Sequence, residues 1–155
     1  MADIVDVQTR SRMMAGIRAR DTRPEMLLRK ALHARGYRYR LCDKRLPGKP
    51  DMVFPRYKAV IFVHGCFWHG HEACHLFRLP KSNTVFWQAK IAANVARDRV
   101  VLESLATDGW RVMVVWECAL KGRNLIPLED LLVTISSWLD SKTKFHNIRG
   151  SYDER

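Results

Sequence analysis

No apolar run in this chain approaches the roughly 20 residues that a membrane-spanning helix requires. The longest runs, Ala59 to Val63 and Val112 to Trp116, are five residues each. The chain opens Met1-Ala2-Asp3-Ile4-Val5-Asp6, an acidic start without an apolar segment. No secretion signal is read there, and a cytoplasmic protein is expected. Neither an internal repeat nor a low-complexity tract is found, which excludes a solenoid and a linker-like chain. Acids are scarce, 16 against 27 Lys and Arg, for a net charge of +11. That imbalance favours a polyanionic partner, nucleic acid first, because each cationic contact to a phosphate releases condensed counterions. An anionic membrane surface fits less well, since the arginines are not confined to one amphipathic helix. Cysteines are also few: Cys42, Cys66, Cys74 and Cys118. Without a secretion signal, ligation or burial is expected of them rather than disulfides.

What is present suits one domain: 155 residues, 47% of them hydrophobic, enough to bury a core without covalent staples. Residues 1–20 are Arg-rich and aperiodic and read as a basic arm that orders on a partner. A helix is predicted from Asp21–Thr22 to Gly36. Thr22 and Glu25 form a capping box, Pro24 lies in the first turn, and Leu27, Leu28, Ala31 and Leu32 make an apolar face. Strands are predicted at 37–41, 51–54, 59–64 and 110–116, and helices at 84–106 and 127–139. Trp110 and Trp116 are read as core. The tail, 141–155, is polar and is expected to fray. The folded unit is therefore placed at 21–140, an α/β domain with a mixed central sheet flanked by helices.

Cys66, His69, His71, Cys74 and His75 crowd into ten residues. Structural zinc takes four Cys or His ligands in a tetrahedron. Cys66, His71 and Cys74 supply three locally, and Cys118, just past a strand, can fold back as the fourth. His75 competes with His71 for the histidine position. The bland alternative, buried thiols and scattered surface histidines, accounts poorly for this density. Such a site would pin a loop, 65–82, that has no core of its own, so that metal binding would count as folding energy. Cys42 is left over and is read as a buried thiol.

Pro50-Asp51 precedes one strand, and a second follows about ten residues later. Many metal nucleases place one carboxylate at such a strand start and an Asp/Glu-x-Lys pattern on the next. Here the pattern reads Phe62-Val63-His64, without the acid and with His for Lys. Pro-Asp alone is more often just a turn. The nearby His64 and His69 raise its interest, because phosphodiester hydrolysis needs a proton acceptor near pH 7. The Val63 carbonyl could fill a magnesium position in place of the missing acid. Phe67-Trp68, flanked by metal-type residues, suits a wedge between base pairs. Trp87 serves equally as wedge or core.

Several strings together resemble one family. They are Thr9-Arg10-Ser11, Arg20-Asp21-Thr22, Pro47-Gly48-Lys49-Pro50-Asp51, the run 60–69 ending His64-Gly65-Cys66-Phe67-Trp68-His69, Phe86-Trp87, Asn94-Val95, Arg97-Asp98-Arg99, Gly109-Trp110-Arg111-Val112 and Val115-Trp116-Glu117-Cys118-Ala119-Leu120. The family is that of the very-short-patch-repair DNA mismatch endonucleases. The resemblance implies a restriction-endonuclease-like fold with a structural zinc site. It implies a magnesium-dependent nick 5′ to the thymine of a T·G mismatch left by deamination of 5-methylcytosine. By matching motif, Asp51 binds Mg²⁺ with the Val63 carbonyl, and His69 is the general base, oriented by Asp98. Glu25 holds metal waters and His64 supports the scissile phosphate. Cys66, His71, Cys74 and Cys118 hold zinc. Phe67, Trp68 and Trp87 intercalate, and the arm grips the duplex from the minor-groove side. The expected partner is double-stranded DNA carrying a T·G mismatch, met by a monomer, with other repair proteins as further partners. The zinc loop carries one residue more than the family's His-rich form, and Val63 stands where Thr is expected.

Overall fold

The structure, a computed structural model, describes residues 22–151. The basic arm, with Thr9-Arg10-Ser11 and Arg20-Asp21, lies outside the described residues. Helix α1 (Arg23–Ala34) starts at the Thr22–Glu25 capping box. It is followed by strands β1 (Arg40–Leu41), β2 (Met52–Phe54) and β3 (Ala59–His64). The long helix α2 (Thr84–Thr107), strand β4 (Arg111–Trp116), helix α3 (Leu128–Leu139) and strand β5 (Phe145–Ile148) complete the order. The five strands form one mixed sheet in the order β1-β2-β3-β4-β5. The β1–β2 and β2–β3 pairs are antiparallel, while β3–β4 and β4–β5 are parallel.

Both faces of the sheet are covered, which is why β3 and β4 read as unbroken apolar runs rather than as alternating ones. Met52, Phe54, Ile61, Met113 and Val115 point to one side, where Leu28 and Leu32 of α1 and Leu131, Ile135 and Leu139 of α3 pack on them. Val53, Val60, Phe62, Val112 and Val114 point to the other, against Leu105 of α2. The fold is thus three layers, α1 and α3, sheet, α2, with the carboxyl ends of β3 and β4 side by side. Among the described residues, no helix is long and apolar enough to cross a membrane.

Three readings change. The strand expected at 37–41 shrinks to Arg40–Leu41, because β2 offers only Val53 and Met52 as partners. Tyr37 and Tyr39 instead pack their rings on Phe54, and the Tyr39 hydroxyl donates to the Arg29 carbonyl at 2.6 Å. Leu27 is exposed, so the apolar stripe of α1 rests on Leu28 and Leu32. Most importantly, the segment after Ser141 does not fray within the described residues. Phe145–Ile148 is the fifth strand, and the sheet does not end before it. Its sequence, Phe-His-Asn-Ile, carries little apolar signal because it is an edge strand that buries only Ile148.

That register makes a testable contrast. Ile148→Ala should cost about 2–4 kcal/mol in urea unfolding, whereas Phe145→Ala, at a position half exposed, should cost under about 0.5 kcal/mol. Equal and negligible effects would mean that the segment is not part of the cooperative fold.

Candidate active site and metal centre

The first cluster grows from the capping box. Thr22 accepts from the Glu25 N–H at 3.4 Å and its own N–H donates to Glu25 Oε2 at 3.3 Å. One turn on, Arg29 donates to Glu25 Oε1 at 2.9 Å. Glu25 is only 2% exposed, so the capping residue is also a buried acid. Asp51 sits just ahead of β2, and its Oδ2 accepts from the Val63 N–H of β3 at 2.6 Å. Ligand atoms of Glu25, Asp51 and Cys42 all lie within 4.8 Å of one another. Burial pushes the Asp51 carboxyl up to about 8, opposed by the Val63 N–H and reinforced by the Glu25 charge beside it. A buried acid pair of this kind favours a proton or a bound cation. Two of these contacts escape sequence reading. What Val63 gives Asp51 is its N–H, and Cys42, read as a plain buried thiol, stands half-buried beside the acids.

The second cluster forms where β3 ends. The His64 and His69 rings stack in parallel, centroids 3.8 Å apart. The turn between them closes with the His69 N–H donating to the Gly65 carbonyl, and Asn94 of α2 donates to the Trp68 carbonyl at 2.9 Å. Asp98, one turn further along α2, holds His69 Nδ1 at 2.7 Å. An ionised carboxylate only accepts, so Nδ1 carries the proton and Nε2 is the basic nitrogen. His64 is buried, which pushes its pKa down to about 3, with the neighbouring His69 charge acting the same way. It therefore stays neutral across the physiological range. Asp51, Val63, His64, His69 and Asp98 line one cleft of about 560 Å³, edged by the cationic Lys44, Lys49 and Arg97.

The third cluster is the cysteine site. Cys66 lies two residues past β3, and Cys118 in a short 3-10 turn after β4. Ligand atoms of Cys66, His71, Cys74 and Cys118 lie within 4.8 Å of one another. His71 Nδ1 is 3.6 Å from Cys118 Sγ. That spacing is close to the roughly 3.5 Å edge of a tetrahedron with metal–sulfur bonds of about 2.3 Å and metal–nitrogen bonds of about 2.0 Å. Burial pushes the Cys66 and Cys118 thiols up and the His71 imidazole down to about 4. A dication that displaces the thiol protons removes this penalty, and the neutral imidazole is already in its ligating form. His75 does not join these four. Its Nδ1 faces the Asn124 side chain at 3.4 Å.

The surroundings of the cysteine site are specific. His71 stacks on Trp116 at 3.9 Å, nearly parallel, so Trp116 is a wall of the site as well as a member of the core. Gly70 has φ +59, and a Cβ there would meet Ile91 Cγ2 at 2.8 Å. The loop can press against α2 only because that residue is glycine. Past β5, the Gly150 N–H donates to Cys118 Sγ at 3.2 Å, and Arg149 donates to the carbonyls of Glu72 and Ala73. Sequence reading missed this closure by the last strand altogether.

Phe67, Trp68 and Trp87 form one cluster, with centroids 5.1 to 5.9 Å apart. All three are half-buried, and the neighbouring Phe86 is exposed. The loop 65–82 and the first turn of α2 thus present a single aromatic ridge.

A profile of the family described as DNA mismatch endonuclease Vsr matches residues 2–75. The DNA mismatch endonuclease Vsr of Escherichia coli K12 is 47% identical over 139 residues, 90% of this chain and 88% of that protein. The type II nicking enzyme V.XorIIP of Xanthomonas oryzae pv. oryzae is 51% identical over 120 residues, covering 77% and 88%. The type II nicking enzyme V.NmeAIP of Neisseria meningitidis serogroup A is 49% identical over 123 residues, covering 79% and 87%.

The raised Asp51 carboxyl gives a signed expectation. Its folded value, about 8, exceeds its ordinary 3.8. Its contribution to stability is therefore fully present below 3.8 and lost as pH rises through about 8. Asp51→Asn cannot lose a proton, so without added magnesium it should be more stable than the parent. The gain should widen from about pH 4 to about pH 8 and then level off. Urea titrations of both proteins across that range test this, and a difference independent of pH would contradict the buried-acid account.

Proposed function

This chain belongs to the DNA mismatch endonuclease Vsr family, and from that premise we propose that it nicks duplex DNA 5′ to the thymine of a T·G mismatch by magnesium-dependent hydrolysis. Such a mismatch arises when 5-methylcytosine deaminates, and the nick would open a very short repair patch. The observation that carries the reading is one cleft lined both by Asp51, a buried acid with Glu25 beside it, and by a histidine held by Asp98. A silent DNA-binding protein needs neither.

Asp51 would hold the magnesium, with the Val63 carbonyl as a further oxygen and Glu25 taking hydrogen bonds from its waters. Magnesium supplies an acidified water and neutralises charge building on the phosphate. His69 takes the attacking water's proton at Nε2, while Asp98 keeps the ring oriented and stabilises the imidazolium that forms. His64, neutral and stacked on His69, supports the scissile phosphate as a hydrogen-bond partner without adding charge. Lys44, Lys49 and Arg97 draw the backbone into the cleft.

The ridge of Phe67, Trp68 and Trp87 would enter the stack beside the mismatch, where unstacking is cheapest. Residues 1–20 would grip the duplex from the minor-groove side. Zinc is the fitting ion for Cys66, His71, Cys74 and Cys118, because a closed set of three thiolates and one imidazole suits a structural site. The chain would act as a cytoplasmic monomer, in concert with other repair proteins, on a scaffold of the restriction-endonuclease kind.

A labelled duplex with one T·G pair, beside its T·A control, decides the activity. Nicking only at the mismatched thymine, and only with magnesium, is expected; equal cutting of both duplexes would make this a restriction-type enzyme. Asp51→Ala should lower nicking by about a thousandfold or more and keep mismatch binding, whereas loss of both would make Asp51 structural. Cys118→Ala should weaken zinc retention by at least about a hundredfold and lower the urea midpoint. An unchanged zinc content would remove Cys118 from the ligand set.

A further inference from the structure

The proposed reaction uses Glu25, Asp51, His64, His69 and Asp98, and the zinc reading uses Cys66, His71, Cys74 and Cys118. Cys42 belongs to neither. It follows β1 directly, in left-handed backbone at φ +46, which residues other than glycine, asparagine and aspartate seldom adopt. Its N–H donates to the Asp51 carbonyl at 3.4 Å, tying the end of β1 to the residue just ahead of β2. Cys42 Sγ consequently lies within 4.8 Å of ligand oxygens from both Glu25 and Asp51, and the residue lines the same cleft.

Donor chemistry gives that sulfur a consequence. Magnesium takes oxygen ligands and keeps several waters, so a thiol adds nothing to its binding. Cobalt, cadmium and zinc gain a metal–sulfur bond, and the thiol proton leaves to solvent as that bond forms. A thiolate added to the Asp51 carboxylate, with Glu25 beside them, makes a better site for such ions than for magnesium. We propose that Cys42 is a further protein donor of the Asp51 cation site, and that through its sulfur this site binds thiophilic divalent ions more tightly than magnesium and is blocked by them. The proposal rests on the reading of Asp51 as holder of the catalytic cation.

The test uses the full chain loaded with one equivalent of zinc, a d¹⁰ ion that is spectroscopically silent. Cobalt(II) is then titrated in while released zinc is measured, so that exchange into the cysteine site is counted separately. One cobalt should bind without zinc release and show a thiolate-to-cobalt charge-transfer band in the near ultraviolet. Cys42→Ser should lose that band and bind cobalt at least about tenfold more weakly, with a smaller loss for magnesium. Inhibition of nicking by cadmium should weaken in the same variant by a similar factor. Asp51→Asn should abolish this cobalt site. Cobalt that depends on Asp51 but shows no thiolate band, or binds Cys42→Ser as tightly as the parent, would overturn the role of Cys42 and leave the Asp51 reading standing. No cobalt beyond that exchanged, or unchanged binding to Asp51→Asn, would overturn the Asp51 reading and the proposal with it.

Discussion

Strands β3 and β4 lie parallel in a register that sets Val63 beside Val115 and His64 beside Trp116. The histidine pair and the cysteine site hang from the carboxyl ends of these two strands, and the Val63 N–H ties Asp51 to the same place. Two residues past His64 the chain supplies Cys66, and two past Trp116 it supplies Cys118. Cys66 also donates its N–H to Glu117 Oε1, so the two exits are cross-linked. A slip of one residue would turn every side chain of a strand to the opposite face. It would part Val63 from Asp51 and take both cysteines out of reach of His71. Burial of both sheet faces resists that slip, because Val60, Phe62, Ile61, Met113, Val112 and Val114 would all exchange layers.

The two candidate metal sites differ in donor chemistry and meet in one aromatic array. His69 stacks on His64, His64 meets Trp116 edge-on at 5.3 Å, and Trp116 stacks on His71. The ring proposed as general base is therefore two rings away from the histidine of the cysteine site. A metal at that site would, in ordering the loop, also order the wall behind the proposed reacting groups. This explains why a loop with few core residues of its own can carry a histidine held to hydrogen-bond precision by Asp98.

Much of this was legible from residues alone, for identifiable reasons. Strand β3, the capped start of α1 and the extent of α2 follow from long apolar patterns and from local capping chemistry. The cysteine cluster was legible because sulfur and imidazole are dense in a segment with no other use for them. The boundaries of the sheet were not. β1 is limited by the length of its partner, and β5 is an edge strand that needs little apolar sequence. The contacts that tune the acids were hidden for a different reason. The Val63 N–H and the Cys42 thiol reach Asp51 through strand pairing, and no spacing rule announces that.

The loop around Gly70 is unequal in its tolerance of change. Its inner side is fixed: Gly70 admits no Cβ against Ile91, His71 is clamped on Trp116, and Cys66 is fully buried. Its outer side, Glu72 and Ala73, is exposed, and Ala73 already bends through φ +50 to bring Cys74 back to the cluster. Substitutions at 72–73 meet solvent rather than a ligand atom, and Arg149 holds the backbone carbonyls there whatever the side chains. A lineage can in this way vary the outline of the surface beside the aromatic ridge while the chemistry beneath it stays the same.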